Sequence, residues 1–198
     1  MGVVTQIKDL DNTSNFQLIY SGGNKLNNIV LCGFMGCGKS TVGKNIARKS
    51  GKKFVDMDSY IEEKAGMRVS EIFEKYGESG FRDMEHEACR ELSLEKNLII
   101  ASGGGALTFE RNVEVFKQND TIVLLDVDLE TIKYRLRNDK KRPLLQRPDK
   151  DEVMKELYEK RLPLYKAAAD ITVKGRSTPL KTAFAVMDAV RLSNKQHT

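Results

Sequence analysis

The stretch Gly33-Phe34-Met35-Gly36-Cys37-Gly38-Lys39-Ser40-Thr41 decides the fold, because it fits the pattern G-x-x-x-x-G-K-[ST]. A short apolar run, Ile29-Val30-Leu31-Cys32, precedes it, as expected of a buried parallel strand, and a helical stretch predicted over 39–50 follows it. In this context the glycines let backbone N–H groups converge on phosphate oxygens, and the helix N-terminus adds partial positive charge. The stretch therefore predicts a phosphate-binding loop, here called the P-loop.

The residues of the P-loop have different expected roles. Lys39 reaches the β- and γ-phosphates of a nucleotide, and the Ser40 hydroxyl is a ligand for Mg²⁺. The rest of the predicted phosphate-binding set is Gly36, Cys37, Gly38 and Thr41. For Cys37 two interpretations stay open, a reactive thiol at a helix N-terminus and a small residue that fits the loop.

The order of strand, then helix, repeats along the rest of the chain. Further strands are predicted at 53–55, 98–101, 121–125 and 171–173. Helices are predicted at 57–66, 69–76, 79–95, 109–118, 129–138 and 152–168, the last interrupted at Pro163, with a final helix opened by Thr178-Pro179. Such alternation predicts an α/β fold, a three-layer α/β/α sandwich around a central five-stranded parallel sheet.

The length of 198 residues suits one domain with appendages. Residues 1–28 are rich in polar residues and are predicted as a flexible N-terminal extension, with a short strand at 16–20. Residues 29–193 are expected to form the P-loop domain and 194–198 a C-terminal tail. A composition of 40% hydrophobic and 31% charged residues excludes wholesale disorder. We expect neither a membrane span nor a signal peptide.

The cysteines and the charge distribution bear on compartment and partners. Three cysteines, an odd number, argue against a disulfide framework and favour a reducing cytoplasm. The net charge is +5, and residues 133–150 hold eight Lys or Arg against two Asp. The excess is thus one focused patch, which suits a small anion at least as well as a nucleic acid. We expect no nucleic-acid or membrane partner and a monomer.

Other motifs in the sequence and the length of the chain indicate which class of P-loop protein this is. The Asn-Lys-x-Asp and Asp-x-x-Gly motifs that GTPases need are missing from the sequence. The short chain and small sheet favour the small-molecule and nucleoside monophosphate kinases, which have a core, a lid and acceptor-binding helices. The basic loop 139–150 is the predicted lid, and its Arg142 is placed to close over a transferring phosphoryl group.

Polar and glycine residues at strand ends complete the predicted site. Asp56 and Asp58 follow the second strand, where carboxyl ends of parallel strands face a ligand crevice, although helix capping is the alternative. Gly103-Gly104-Gly105 follows the third strand and either exposes backbone N–H groups to a ligand or forms a tight turn. Position alone does not distinguish Arg82 and Arg161 from surface arginines.

Together these motifs resemble the shikimate kinase family over about residues 29–175. The resemblance rests on six motifs in the family's order: the P-loop, Asp56-Met57-Asp58, Phe81-Arg82-x-x-Glu85, Ser102-Gly103-Gly104-Gly105, Arg142-Pro143-Leu144-Leu145 and Arg161-x-Pro163-x-Tyr165. The family commonly has alanine where this chain has Cys37, which exchanges one small residue for another. Residues before Ile29 lie outside the family's pattern.

The resemblance implies an activity, transfer of the ATP γ-phosphoryl group to the 3-hydroxyl of shikimate, on the route to chorismate and aromatic amino acids. It implies that Asp58 binds the acceptor hydroxyls and is the candidate base, while Arg82 and Arg161 grip the carboxylate. It further implies that Gly103 and Gly104 contact the acceptor, that Arg135 stacks on adenine, and that Arg142 reaches the phosphates. Ser40 and, through water, Asp56 would hold Mg²⁺. Residues that shape or brace the acceptor pocket would be Phe73, Phe81 and Glu85.

Two other functions stay open on sequence grounds. One is a P-loop kinase for a different acceptor, such as gluconate or a nucleoside monophosphate. The other is a P-loop module without activity that binds nucleic acid through residues 133–150.

Overall fold

The computed structural model describes residues 27–139 and 143–196. Its five strands are β1 (Ile29–Cys32), β2 (Lys53–Asp56), β3 (Leu98–Ala101), β4 (Thr121–Asp126) and β5 (Ile171–Lys174). Its seven α-helices in this part of the chain are α1 (Lys39–Ser50), α2 (Met57–Ala65), α3 (Val69–Leu94), α4 (Glu110–Lys117), α5 (Leu129–Leu136), α6 (Lys150–Ala168) and α7 (Pro179–Gln196). Short 3₁₀ turns occupy Ala106–Thr108 and Pro143–Gln146.

The strands form one parallel sheet in the order β2-β3-β1-β4-β5. Val30 in the middle of β1 pairs with Ile100 on one side and Ile122 on the other. Every residue of β1 and β3 is buried, so helices cover both faces of the sheet and the apolar core lies on either side of it. The prediction of a three-layer α/β/α fold with five parallel strands is confirmed.

Helix α3 consists of two helical segments, as the sequence predicts. Gly77 lies between them with φ 68° and ψ −176°, a backbone conformation that only glycine adopts readily. Phe73 on the first segment packs against Phe81 on the second, with ring centroids 4.6 Å apart. The second segment carries Arg82 and Glu85 toward the carboxyl ends of the strands.

The predicted interruption at Pro163 is wrong, because α6 continues from Lys150 to Ala168. Proline removes the hydrogen bond to the carbonyl four residues earlier. That carbonyl belongs to Glu159, which is exposed like Pro163 itself, so water can take the place of the missing donor. The helix also begins two residues before the predicted position, which shortens the predicted lid.

The domain borders differ from the predicted ones. Helix α7 runs to Gln196, so residues 194–196 belong to it and not to a tail, since no glycine or proline interrupts it after Pro179. In the predicted lid, Leu145 is buried within a 3₁₀ turn, whereas 140–142 lie outside the described residues. The strand predicted at 16–20 also lies outside them.

Within the described residues, no helix has the length and apolar character of a membrane span.

Asn28 belongs to the folded domain, although the sequence places it in the extension. Its side-chain amide donates to the carbonyls of Leu92 (3.2 Å) and Glu95 (2.9 Å), which end α3. Its Oδ1 accepts from the N–H of Leu98 at 2.9 Å, and its own N–H donates to Oδ1 of Asp120 at 3.2 Å. Its carbonyl accepts from the N–H of Thr121 at 3.0 Å, so every polar group of Asn28 is hydrogen-bonded and the residue can be fully buried at the start of the sheet.

We expect Asp120→Asn to stabilise the protein at neutral and alkaline pH. Burial raises the pKa of the Asp120 carboxyl, against hydrogen bonds from Asn28 and the charges of Lys96 and Lys52. Since the folded pKa is raised, the contribution of this carboxyl to stability is present at low pH and is lost as the pH rises through that pKa. Asparagine keeps the Oδ1 acceptor and removes the charge. Tm should rise by roughly 2–4 °C, the shift that about 1 kcal/mol produces at this chain length.

Thermal unfolding at about pH 4 and about pH 8 measures this effect. The difference in Tm between the variant and the wild type should be larger at the higher pH. Asp83→Asn is the control, because that carboxylate is exposed in an ion pair with Arg111. A Tm of Asp120→Asn that is unchanged or lower at about pH 8 would contradict the assignment of a desolvated charge at this position.

Candidate active site

The P-loop between β1 and α1 curls because all three of its glycines have left-handed backbone angles. The φ angles are 135° at Gly33, 75° at Gly36 and 105° at Gly38. A Cβ at Gly33 would lie 2.9 Å from the Leu125 carbonyl oxygen, so this position also tolerates no side chain. Lys39 opens α1, and its Nζ donates to the carbonyl of Gly33 at 2.8 Å. The loop thus forms a cradle beneath the N-terminus of a helix.

The two predicted acidic residues lie beside the P-loop. Asp56 ends β2, and its Oδ2 accepts a hydrogen bond from the Ser40 hydroxyl at 2.6 Å. Asp58 is in the first turn of α2. Asp56 occupies the N-cap position of α2, but its side chain makes no capping hydrogen bond. Its carboxylate is therefore used toward the P-loop, against the alternative that it caps the helix.

The predicted acceptor side contains a buried ion pair. Arg82 Nη1 lies 2.5 Å from Oε2 of Glu85, whose side chain is 1% exposed, and Nη2 lies 3.0 Å from Oε1 of Glu78. The guanidinium also faces the ring of Phe109, 5.1 Å from its centroid. Burial raises the pKa of Glu85, the bond to Arg82 opposes this, and the charge of Asp58 adds to it. Arg82 is therefore held in place by protein groups and is not a freely solvated surface arginine.

The glycine-rich segment after β3 lies between these groups. The segment does form a tight turn, in which the N–H of Ala106 donates to the Gly103 carbonyl at 3.2 Å, but the φ angles of its glycines are outside the left-handed region, so the turn itself does not require glycine. A Cβ at Gly103 would lie 2.7 Å from Asp58 Oδ1 and 2.8 Å from Glu85 Oε1. A Cβ at Gly105 would lie 2.8 Å from Nη1 of Arg82. Glycine is needed here because charged side chains approach the backbone closely.

Helix α6 contacts the same segment from the other side. Arg161 Nη1 donates to the Gly104 carbonyl at 3.3 Å, and the hydroxyl of Tyr165 donates to the same oxygen. Further along, the buried side chain of Asn112 donates to the Ala106 carbonyl at 2.9 Å. The segment is therefore fixed by hydrogen bonds from two helices.

One cavity of about 680 Å³ joins the P-loop to this segment. Its wall includes the predicted nucleotide-side residues Gly36, Cys37, Gly38, Lys39, Ser40, Thr41, Asp56 and Arg135. It also includes the predicted acceptor-side residues Asp58, Arg82, Gly104 and Arg161. Gly103 is adjacent, against Asp58. The structure thus brings most of the predicted set together around a single space.

The roles predicted for Arg135 and Arg142 on the nucleotide side are not tested by the structure. Arg135 donates to the carbonyls of Cys37 at 3.0 Å and Gly36 at 3.3 Å, so its guanidinium lies against the P-loop backbone. Its stacking on adenine stays a prediction. Arg142 lies outside the described residues, so its role at the phosphates also stays a prediction. Cys37 is buried, which agrees with a small residue that fits the loop.

Sequence reasoning missed one wall of the cavity. Gly175, Ser177 and Thr182, in and after the loop that follows β5, line it. The Thr182 hydroxyl accepts from the N–H of Arg176 at 2.9 Å and so shapes this loop. A usable signal was present, because the loop follows the carboxyl end of a parallel strand, as the other site loops do.

We expect Gly103→Ala to reduce kcat/KM of the activity proposed below for this site by roughly 10²-fold. The added methyl group would force the carboxylates of Asp58 and Glu85 to move, and small displacements of groups in a reacting site have effects of this size. The affected atoms are carboxylate oxygens at the ends of side chains and not backbone atoms, so the fold should survive, with a loss of Tm. Steady-state kinetics and thermal unfolding test this together. Unchanged kcat/KM would show that the close approach of Asp58 to the segment has no functional consequence.

A P-loop that faces an acidic residue and two arginines across one cavity defines a P-loop kinase of small molecules. The shikimate kinase family model matches residues 35–191. A shikimate kinase of Sulfurihydrogenibium sp. is 40% identical over 84% of this chain and 99% of the relative, and that of Thermodesulfovibrio yellowstonii is 42% identical over 85% and 98%. The chain belongs to the shikimate kinase family.

A solved structure agrees with this assignment. The shikimate kinase of Acinetobacter baumannii in complex with shikimate is 37% identical, with a TM-score of 0.81 over 93% of this chain and 99% of that one. The resemblance inferred from the six sequence motifs is therefore confirmed at the level of family and fold.

Proposed function

We propose that this chain transfers the γ-phosphoryl group of ATP to the 3-hydroxyl of shikimate, giving shikimate 3-phosphate and ADP for chorismate and aromatic amino acid synthesis. One observation carries the proposal. Asp58, Arg82 and Arg161 line the same cavity as the P-loop. An acceptor that combines hydroxyls with one carboxylate matches this set of groups, whereas a nucleotide acceptor would need a base pocket.

On the nucleotide side, the P-loop residues Gly36, Cys37, Gly38 and Thr41 surround the phosphates. Their backbone N–H groups and the N-terminus of α1 supply partial positive charge. Lys39 neutralises charge that develops on the γ-phosphoryl group, which requires its Nζ to exchange the Gly33 carbonyl for phosphate oxygens. Arg135 contacts adenine and Arg142 approaches the phosphates.

Ser40 and Asp56 are the proposed Mg²⁺ site. Their side-chain oxygens lie 2.6 Å apart, and oxygen donors are what this ion prefers. Mg²⁺ keeps several waters and phosphate oxygens, so it does not need a cage of protein ligands. Among the described residues, no group of three His, Cys, Asp or Glu side chains is arranged to hold a metal ion. When bound, the ion would supply charge neutralisation at the β- and γ-phosphates.

On the acceptor side, Arg82 and Arg161 bind the carboxylate, because the planar guanidinium matches a carboxylate bidentately. Glu85 keeps Arg82 oriented through the buried ion pair. Asp58 accepts the proton of the 3-hydroxyl as the bond from that oxygen to phosphorus forms and the bond to the ADP oxygen breaks. The backbone of Gly103 and Gly104 contacts the hydroxyls. Catalysis then consists mainly of in-line positioning and charge stabilisation.

We further propose a monomer in the cytoplasm that has no nucleic-acid or membrane partner. The three cysteines, Cys32, Cys37 and Cys89, are buried free thiols, which suits a reducing compartment. Light scattering of the purified protein and a filter-binding assay with random DNA at several salt concentrations test the monomer and the absence of nucleic-acid binding.

The decisive experiment is a coupled ADP-release assay with ATP, Mg²⁺ and shikimate. Reactions with gluconate, with AMP, without acceptor and with excess chelator are the controls. Turnover that requires shikimate and stops with chelator is expected. Turnover with another acceptor would discard the roles of Arg82 and Arg161, and equal ADP release without acceptor would indicate an ATPase. ATP binding without turnover under any condition would favour a non-catalytic P-loop module.

A further inference from the structure

Tyr165 lies in the last turns of α6, and its role is not explained by the reaction described above. The residue is 2% exposed, and its hydroxyl donates to the carbonyl of Gly104. Arg161 is four residues earlier on the same helix face, and its Nη1 donates to the same carbonyl oxygen at 3.3 Å. Two donors from one helix therefore converge on a single backbone oxygen of the glycine-rich segment.

The bonds from α6 hold the central peptide group of the turn in this segment, whose flanking carbonyls, those of Gly103 and Gly105, accept from the N–H groups of Ala106 at 3.2 Å and Thr108 at 3.1 Å. Glycine has the widest choice of backbone angles, and the sequence places three glycines in a row from Gly103 to Gly105. Because a trans peptide is planar, an anchored Gly104 carbonyl also sets the direction of the Gly105 N–H. The orientation of this backbone toward the cavity thus depends on the donors from α6.

The Tyr165 hydroxyl is suited to act as a permanent donor. Burial raises the pKa of Tyr165 to about 12, with the nearby Arg161 acting in the opposite direction. The phenol therefore keeps its proton at any pH at which the enzyme works. The guanidinium of Arg161, in contrast, lines the cavity and is the group proposed to bind a carboxylate. When Arg161 turns toward substrate, Tyr165 is the donor that continues to hold the Gly104 carbonyl.

We propose that Tyr165 is a positioning residue for the acceptor. It orients the Gly104 backbone and the neighbouring Arg161 guanidinium without touching the substrate itself. The inference rests on the proposed function, since it assumes that Gly104 and Arg161 contact shikimate. It predicts that loss of the hydroxyl weakens acceptor binding and leaves the nucleotide side unaffected.

The same helix offers a matched comparison. A buried tyrosine hydroxyl needs an acceptor wherever it lies, so the bond to Gly104 alone does not establish a functional role. Tyr158 is also on α6, and its hydroxyl donates to a backbone carbonyl, that of Val127, at 3.1 Å. Val127 does not line the cavity. In both tyrosines, replacement by phenylalanine removes one hydroxyl and leaves the packed ring.

The test compares full-length Tyr165→Phe and Tyr158→Phe with the wild type. Steady-state ADP release gives kcat and KM for each substrate, calorimetry gives Kd for shikimate, and thermal unfolding gives Tm. For Tyr165→Phe we expect KM and Kd for shikimate to rise about tenfold, the value of one hydrogen bond, with KM for ATP unchanged. For Tyr158→Phe the shikimate constants should stay within about twofold.

A double variant gives a second readout. If Tyr165 acts through Arg161 and Gly104, its effect on shikimate Kd should not add to that of Arg161→Lys, since residues in one network are non-additive. Unchanged shikimate constants in Tyr165→Phe would overturn the proposal, whatever happens to Tm. So would poor folding of that variant, or an equal effect in Tyr158→Phe, because either assigns the hydroxyl to stability. Wild-type protein without shikimate-dependent turnover would refute the proposed function first, and the proposal with it.

Discussion

Replacing Lys39 by methionine is expected to lower kcat by roughly 10³-fold or more while the chain stays folded. Methionine keeps the apolar stem but has no N–H donor, so charge on the transferring phosphoryl group loses its closest proposed protein partner. The structure indicates why the fold should survive. Lys39 is part-buried, and its Nζ donates to the carbonyls of Gly33 and Phe34, of which the Phe34 carbonyl also accepts from the N–H of Cys37. Tm should change by a few degrees at most.

Lys44→Met is the matched control, because Lys44 is an exposed lysine on the same helix whose Nζ lies over the ring of Phe54, 5.7 Å from the ring centroid. It should leave kcat unchanged. ADP release, thermal unfolding and circular dichroism are measured on both variants. Retained turnover in a folded Lys39→Met protein would remove the basis for assigning the loop to phosphate binding.

The second large effect is expected from Arg82→Ala and Arg161→Ala, which should each raise KM for shikimate. Removal of one partner from a desolvated charge pair costs about 2–5 kcal/mol, which corresponds to roughly 30-fold to several thousand-fold. The two variants should differ in stability. Arg82→Ala leaves Glu85 buried without its ion-pair partner, so Tm should fall as well. Arg161 donates to a backbone carbonyl, and its loss should spare Tm.

Arg48→Ala, an exposed position on α1, controls for loss of a positive charge, and Arg82→Lys tests the need for the planar fork. Kinetics with shikimate varied at saturating ATP, together with thermal unfolding, separate binding from folding. If KM for shikimate in both alanine variants stayed at the wild-type value, the carboxylate would have to be bound elsewhere and the proposed acceptor geometry would be wrong.

The features that were predicted correctly from the sequence depend on residues that lie close together in the chain. The P-loop and the continuous apolar strands are local patterns, and the order of elements along the chain then restricts the sheet to few arrangements. The helices predicted at 69–76 and 79–95 are likewise local patterns, and Gly77 lies in the gap between them. The site residues were located through strand ends, although their roles stay predictions.

Features that depend on distant parts of the chain were missed. Asn28 stands in a polar run typical of a linker, and its burial becomes understandable only when α3 and β4 bring carbonyls and Asp120 to it. Pro163 normally breaks helices, but the exposure of Glu159 removes most of the penalty. The wall formed by Ser177 and Thr182 was missed although its loop follows the carboxyl end of β5, because that signal does not by itself say which strand-end loops meet at one cavity.

The strand order has a consequence for how the protein is made. β1 is synthesised first yet lies in the middle of the sheet, between β3 and β4. Asn28, just before it, bonds to residues 70 and 92 positions later in the chain. On the ribosome, this apolar segment therefore waits for its two neighbours, because Ile29 pairs with Ile99 in β3 and with Thr121 in β4. Such long-range pairing slows folding and leaves β1 open to aggregation, so the nascent chain acquires its phosphate-binding loop late.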